Sequence, residues 1–460
     1  MPVHTADSRS PLLYDSITGK LVGYTDNTGV DRDLGGAVLD HANPTAMAMV
    51  ALTPTGLAIG GSEPTSAQKV QMRAGIGFKS GLDYFDGGVP LGRPSGLSIS
   101  SKAVTSHMVR MALIPQTALI GIAVYFDNPG SVDITIKSAI ELQSGTKIQL
   151  TFPDGTTSRT IKPGEVVKTN IVPIEYSGPS TPPVSADALY LRTYVTLASG
   201  NMACRSSTLF GDLSQFPAGL RDSWADNGGV DRTLLDNTGL GTSNGYIYAP
   251  LAVVGKSSYS GDVYVSFGDS IANGQEDSSN LSSGGWIARY CVSKKVPFLQ
   301  LGYPGRGVPT FDPVSDPAKV INLTYGATHA VCQFGTNDMI NGVALALIQA
   351  RMTAFWKHLA AAGIDVKVAT LPPRTSSTDG FVTEVNQTPN GANFVGGVLS
   401  IRHLYNEWLR SFPQYVSEVL DVALAVESEN TIGIWKAGYT GDGTHPKTIG
   451  YVAMAAQAAN

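Results

Sequence analysis

Two hydrophobic rhythms follow one another along the chain. From residue 102 to about 255, short apolar or alternating stretches recur: Ala118–Phe126, Val132–Lys137, Lys147–Phe152, Val166–Thr169 and Ala188–Leu197. Turn-forming clusters separate them, including Asp127-Asn128-Pro129-Gly130, Pro153-Asp154-Gly155 and Pro163-Gly164. Short period-two strands with such punctuation predict an antiparallel β-sandwich over 102–255.

Past Pro250–Gly255 strands alternate with helices. The apolar runs Val263–Phe267, Pro297–Leu301, Ala330–Phe334 and Val366–Leu371 predict four buried strands, with a fifth near Val419–Val426. Trp286–Val292 reads as a helix, as does a segment carrying Ile401, Leu404, Tyr405 and Trp408. The clearest helix places Leu345, Ile348, Met352, Phe355 and Leu359 on one face at steps of three and four, with Gly363 where a C-terminal cap belongs. Five strands alternating with helices predict an α/β fold over 256–460. Its expected form is a doubly wound, flavodoxin-like five-stranded parallel sheet in the order 2-1-3-4-5.

The first third is less patterned. Leu12-Leu13-Tyr14 and Leu21-Val22-Gly23-Tyr24 flank Thr18-Gly19 and predict a hairpin module over 1–36. Tyr24-Thr25-Asp26-Asn27-Thr28-Gly29-Val30-Asp31-Arg32 recurs in outline as Trp224-Ala225-Asp226-Asn227-Gly228-Gly229-Val230-Asp231-Arg232. We read both as an Asp-Asn-x-Gly turn leading into a strand; the spacing does not suit a calcium loop. Residues 37–101 read as an irregular, glycine-rich connection. The first nine residues lack the apolar core of a signal peptide, and the apolar run 46–61 is interrupted by Thr53-Pro54-Thr55-Gly56, so neither export nor membrane insertion is expected.

Composition narrows the function. A chain of 460 residues implies two or three domains. With 15% charged residues and a net charge of −5, it is not built to capture nucleic acid or an anionic membrane. The 51 glycines and 27 prolines suit turn-rich β structure. Cys204, Cys291 and Cys332 are widely spaced and odd in number, so they read as buried thiols rather than as disulfides or metal ligands. No metal constellation appears and no cofactor is expected. Gly255-Lys256-Ser257 fails as a phosphate loop because Pro250 stands where its first glycine belongs.

The candidate chemistry lies after the strands of the second half. Gly268-Asp269-Ser270 follows the first strand, Gly302-Tyr303-Pro304-Gly305-Arg306-Gly307 the second, and Gly335-Thr336-Asn337-Asp338 the third; Asp442-Gly443-Thr444-His445 comes near the end. In a 2-1-3-4-5 sheet the first three loops meet at the carboxyl edge. A serine hydroxyl needs a base within hydrogen-bond reach, and of the seven histidines only His445 has an aspartate, Asp442, three residues before it to orient the ring. An oxyanion needs fixed donors, for which the backbone N–H groups of Ser270 and Gly305 and the Asn337 amide are candidates. Gly302 and Gly307 lie close enough to leave the glycine open. Asp269 and Asp338 adjoin the site as bracing groups. His329 and His358 read as structural or surface residues.

These four ordered blocks resemble the SGNH (GDSL-type) hydrolase family over residues 262–460, with Ile271 after the serine in place of the commoner leucine. The resemblance implies Ser270, Gly305, Asn337 and His445 as that family's Ser, Gly, Asn and His. The preceding β-rich segment, with Leu191-Arg192-Thr193-Tyr194-Val195, is similar to the leader domain of bacterial and prophage SGNH esterases, and Asp15–Tyr24 resembles short modules of phage tail proteins. What these likenesses imply is an esterase removing small acyl groups, foremost O-acetyl, from a bacterial glycan. A homo-oligomer or attachment to a virion fits the same reading, as does location on a tail or outside the cell after lysis. Two alternatives stand beside it: a virion or adhesin module that only binds glycan, and a lipase or thioesterase. The loop Arg374–Asn393, rich in Ser, Thr, Asn and Gly, is expected to flank a polar ligand.

Overall fold

The computed structural model describes residues 88–92, 100–113, 115–180, 185–207, 221–243, 245–277, 284–308 and 326–460, together with five short strands nearer the N-terminus. Three of these form an antiparallel sheet in the order Leu12–Tyr14, Leu21–Thr25, Asp31–Asp33. The first two are the expected hairpin; its turn lies outside the described residues, as does most of 37–101.

The β-rich part contains two antiparallel sheets. One runs Lys147–Gln149, Ile134–Glu141, Leu189–Thr196, Ser106–Leu113, Ser223–Asp226, with Ser158–Ile161 also on Ile134–Glu141. The other runs Val166–Lys168, Leu119–Asp127, Ala252–Lys256, Gly88–Pro90, with Val172–Tyr176 also on Leu119–Asp127. Val109, Met111, Ile136 and Leu191 of the first sheet share one buried apolar cluster with Ile122, Val124, Phe126 and Val253 of the second.

Several expectations need correction here. Ser106–Leu113, at the heart of the first sheet, has no sequence signal because His107 and Arg110 interrupt it; Asp226 and Glu141 partner them across the sheet, at 2.7 Å from the His107 ring and in a two-pronged pair with Arg110. Residues 88–90 and 100–101, read as part of an irregular connection, lie in the strands Gly88–Pro90 and Ser100–Ala103. The second Asp-Asn turn ends a strand rather than starting one. Asn227 sits there at φ 54° and its side-chain oxygen accepts the Thr105 N–H at 2.8 Å.

The C-terminal part is the parallel sheet. Its strands are β1 (Tyr264–Gly268), β2 (Phe298–Gly302), β3 (His329–Gln333), β4 (Asp365–Ala369) and β5 (Val416–Leu420), in the order 2-1-3-4-5. The helices are α1 (Ser270–Asn273), α2 (Gly285–Lys294), α3 (Thr336–Ile340), α4 (Leu345–Ala361), α5 (Ile401–Arg410), α6 (Ala423–Val426) and α7 (Thr448–Ala459). Alternate residues of the sheet face opposite layers. Val265 and Phe267 pack with Ile348, Met352 and Phe355 of α4 and Tyr405 of α5. Tyr264 and Val331 pack with Trp286 and Tyr290 of α2 and Tyr451 and Met454 of α7. Each such apolar side chain withdrawn from water contributes about 1.5–3 kcal/mol, which is why the buried positions of these strands are mostly apolar, with Ser266, Gln300 and Gln333 among the exceptions.

The fifth strand lies earlier than expected. The run Ala423–Val426 is helical because Thr370 Oγ1 accepts the Ala423 N–H (2.9 Å) and bonds Asp421 (2.8 Å), ending the strand before it; a short apolar run cannot itself distinguish strand from helix. On α5 the inward face is Arg402, Tyr405, Asn406 and Leu409, and Leu404 is exposed.

The two parts are fused rather than strung together. Ala123, Tyr125, Ala252 and Val254 of the second antiparallel sheet belong to the same cluster as Val265 and Leu299 of β1 and β2. The Gly92 N–H donates to the Phe298 carbonyl at 2.9 Å, extending the parallel sheet at its β2 edge. Among the described residues no helix is long and apolar enough to cross a membrane.

Candidate active site

The site is assembled where β1, β2 and β3 end. Asp269 caps α1, its Oδ1 accepting the Ile271 N–H at 2.9 Å, and this starts the helix at Ser270, which is 7% exposed. The second loop is tied to the first: the Tyr303 N–H donates to the Gly268 carbonyl (2.9 Å) and Asn273 Nδ2 to the Gly302 carbonyl (3.0 Å). The third is tied to the second, with Asn337 Nδ2 donating to the Arg306 carbonyl (3.0 Å) and the Val308 N–H to Asp338 Oδ2 (3.0 Å). An amide nitrogen carries two hydrogens, so Asn337 has a second to offer.

The three candidate glycines are not equivalent. Gly302 is the buried last residue of β2, and the space beside the Gly307 Cα is filled by the Asp338 carboxylate. Gly305 is exposed, in the left-handed region at φ 79°, with open space where a side chain would stand.

The fourth block arrives from the far end of the chain. His445 Nε2 lies 2.8 Å from Ser270 Oγ, and its Nδ1 lies 2.6 Å from Asp442 Oδ2. The other Asp442 oxygen accepts the backbone N–H groups of Thr444 and His445, each at 2.8 Å. This network assigns the neutral tautomer: Nδ1–H donates to Asp442, and Nε2 accepts from the serine hydroxyl. Burial alone would raise the Asp442 pKa, but these hydrogen bonds and the imidazole hold it down at about 2, so it is a carboxylate across the neutral range.

The two flanking aspartates are buried differently. Asp269 is fully buried, and burial pushes it up to about 6, against the hydrogen bond from Ile271 and the nearby His445. Burial also raises Asp338, which holds the second loop through Val308. His329 lies at the opposite, amino edge of the sheet, stacked on Tyr264 with ring centroids 4.7 Å apart. Cys204, Cys291 and Cys332 are buried free thiols, Cys204 pushed up by burial to about 12. Among the described residues no group of three or more His, Cys, Asp or Glu side chains could hold a metal ion.

Residues 266–453 match the family model of the GDSL-like Lipase/Acylhydrolase family. They form a domain of this family. The GDSL-like domain thus spans the sheet from β1 and reaches into α7. Solved structures similar to the chain include a GDSL-like lipase from Bacteroides thetaiotaomicron (18% identity, 42% of this chain and 84% of that one, TM-score 0.30). A G-D-S-L family protein from Desulfitobacterium hafniense is 17% identical over 43% of this chain and 97% of that one, with a TM-score of 0.33. An acetylxylan esterase from Geobacillus stearothermophilus is 14% identical over 43% of this chain and 92% of that one, with a TM-score of 0.32. No curated protein matches the chain.

Three residues around the GDSL-like site carried no sequence signal. Thr440 is fully buried; its Oγ1 accepts the Gly443 N–H (2.9 Å) and donates to the His445 carbonyl (2.8 Å). Tyr451 of α7 donates its hydroxyl to the Gln275 carbonyl at 2.6 Å, tying the helix after His445 to the turn after Ser270. Glu276, at φ 71°, is half-buried beside the Asp442–His445 turn, and burial together with Asp442 raises its pKa. Only Tyr451 lay on a recognisable apolar helix face, and that face says nothing of its hydroxyl.

Proposed function

We propose that this chain is a serine carboxylester hydrolase that removes small acyl groups, O-acetyl foremost, from a bacterial polysaccharide. The observation that carries the reading is the continuous relay Ser270 Oγ, His445 Nε2, His445 Nδ1, Asp442 Oδ2, with separations of 2.8 and 2.6 Å. Ser270 Oγ attacks the ester carbonyl carbon while its proton passes to His445 Nε2. The N–H groups of Ser270 and Gly305 and the Asn337 amide receive the oxyanion, and Asp442, ionised, stabilises the imidazolium. Collapse expels the alcohol, protonated by His445. Water, deprotonated by the same ring, then attacks the acyl-enzyme and the acid leaves.

The glycan rests on the β-rich part, whose two sheets we read as a sandwich able to grip an extended polymer beside the site. Attachment to a phage tail rests on the likeness of Asp15–Tyr24 to tail modules. Hydrolysis of p-nitrophenyl acetate by the full chain tests the reaction, and a rate no faster than that of Ser270→Ala would refute it. Acetate release from a panel of acetylated capsular and cell-wall glycans tests the substrate. A pure glycan-binding module would bind that panel and release no acetate.

One observation favours a second reading. The loop expected to flank a polar ligand exposes Val382 (68%) and Val385 (87%), and just beyond it Leu399 (77%) is exposed. It also joins the site loops, Asn393 Nδ2 donating to the Met339 carbonyl of α3 at 2.8 Å. Exposed apolar side chains on a loop joined to the site suit a longer acyl chain, as in a lipase or thioesterase. A higher kcat/KM for octanoyl than for acetyl esters would decide for it.

A further inference from the structure

The loop between β4 and α5 contains a hairpin, Thr375–Ser377 paired with Gln387–Pro389, whose backbone touches the Asp442–His445 turn. The contact is a seat. The Thr375 N–H donates to the Gly443 carbonyl at 2.9 Å, and the buried Trp435 indole N–H donates to the same oxygen at 3.0 Å. Gly443 itself lies at φ 80°, and a Cβ there would stand 1.8 Å from the Thr375 carbonyl oxygen and 2.9 Å from Phe381 Cζ. Neither the conformation nor the space admits a side chain.

One buried side chain locks the seat. Gln387 Oε1 accepts from Thr375 Oγ1 (3.0 Å) and from the Trp435 backbone N–H (3.2 Å), while its Nε2 donates to the Trp435 carbonyl (3.0 Å). It therefore holds both donors to Gly443 at once. The tip is rigid in its own right. Asp379 accepts from Ser377 Oγ (2.7 Å), Thr383 Oγ1 (2.6 Å), the Thr383 N–H (3.0 Å) and Asn386 Nδ2 (3.1 Å), and these bonds hold its carboxyl well below the usual range.

The Asp442–His445 contacts are internal to a four-residue turn, so they fix the ring relative to Asp442 but not relative to Ser270. We propose that the hairpin Thr375–Pro389, acting through Gly443 and Gln387 as positioning residues, sets the reach of His445 to Ser270. The proposal rests on His445 serving Ser270 as its base. Displacing the turn moves the imidazole and its aspartate together, out of line with the hydroxyl but still paired to each other.

The test uses the full chain carrying Gly443→Ala or Gln387→Ala. Crystal structures are expected to show His445 Nε2 beyond hydrogen-bond reach of Ser270 Oγ with the His445–Asp442 contact kept. With p-nitrophenyl acetate, kcat per folded enzyme is expected to fall about 10²-fold, as for ångström-scale misplacement, with KM within about twofold. The acid limb of the pH profile should stay in place, since the ring keeps its partner, and Thr375→Ser should match wild type. Folded variants whose His445–Ser270 distance and kcat match wild type would overturn the proposal; should Gly443→Ala fail to fold, Gln387→Ala decides it. A wild type no faster than Ser270→Ala would refute the esterase reading instead, while the distance in the variants still tests the seat.

Discussion

Asp442 and His445 are held twice: one carboxylate oxygen takes the ring Nδ1 at 2.6 Å, and the other takes the backbone N–H of the same histidine at 2.8 Å. The aspartate therefore dictates both the tautomer and the course of the turn. Asp442→Asn keeps the shape but can donate to Nδ1, which places a hydrogen on Nε2 where Ser270 needs an acceptor. We expect kcat on a short-acyl ester at neutral pH to fall ~10²–10⁴-fold, the span reflecting the half-exposed carboxylate. KM should change little; loss of substrate affinity with kcat intact would contradict the assigned role.

Asn337 is placed by its bond to the Arg306 carbonyl, 3.0 Å away, and so faces the loop that carries Gly305. In the proposed role of a donor to the oxyanion, it would act only once charge has developed. Asn337→Ala should therefore lower kcat about 10²–10³-fold, or ~2.7–4 kcal/mol, with KM nearly unchanged. Steady-state kinetics on the same ester check this, and an effect confined to KM would assign Asn337 to ground-state binding.

How much of this could be read beforehand depended on what kind of contact does the holding. The central parallel strands were legible because both faces are buried and apolar side chains predominate, as in Tyr264–Gly268, where Ser266 is the polar exception. Ser270 and His445 were legible as candidates because a serine at the carboxyl end of a strand and a histidine three residues after an aspartate carry recognisable chemistry, and Asn337 because its loop follows β3 and matches the resemblance. Ser106–Leu113 was not, since His107 and Arg110 look like surface residues until Asp226 and Glu141 are brought to them. The resemblance alone singles out Gly305 over Gly302 and Gly307 in the sequence; how the three differ in their surroundings shows only in three dimensions. The contact of Thr375 with Gly443 is backbone against backbone, and the Trp435 and Gln387 side chains that support it have nothing in the sequence to link them to the turn beforehand.

Asp269 gives the domain a pH signature. Its folded pKa, about 6, stands above the ordinary 3.8 because burial disfavours the charge. Below the unfolded value the group is protonated in both states and costs nothing. As pH rises from about 4 to 6 the unfolded chain ionises first, so stability is progressively lost, by ~3 kcal/mol in all. Asp269→Asn keeps an acceptor for the Ile271 N–H and removes the charge. Denaturant unfolding at pH 4 should show the variant within about 1 kcal/mol of wild type, and at pH 8 more stable than wild type. A variant less stable than wild type at pH 8 would show instead that the carboxylate is held by favourable partners.

The fully buried pair Asp277–Arg289 lies directly behind the serine turn. Arg289 Nε and Nη2 reach the two Asp277 oxygens at 2.9 and 2.7 Å, and Asp277 Oδ2 also accepts the Gly285 N–H at 2.8 Å, where α2 begins. Removing one member strands a charge in an apolar setting, so Arg289→Met should destabilise by about 3–5 kcal/mol in denaturant unfolding. The pair as such need not stabilise, because desolvating two ions offsets much of their attraction. Arg289→Met combined with Asp277→Leu should recover most of that loss, and the recovery separates a stranded-charge penalty from a packing defect. If the double variant is as unstable as the single, the guanidinium matters here for filling space and holding α2, not for neutralising Asp277.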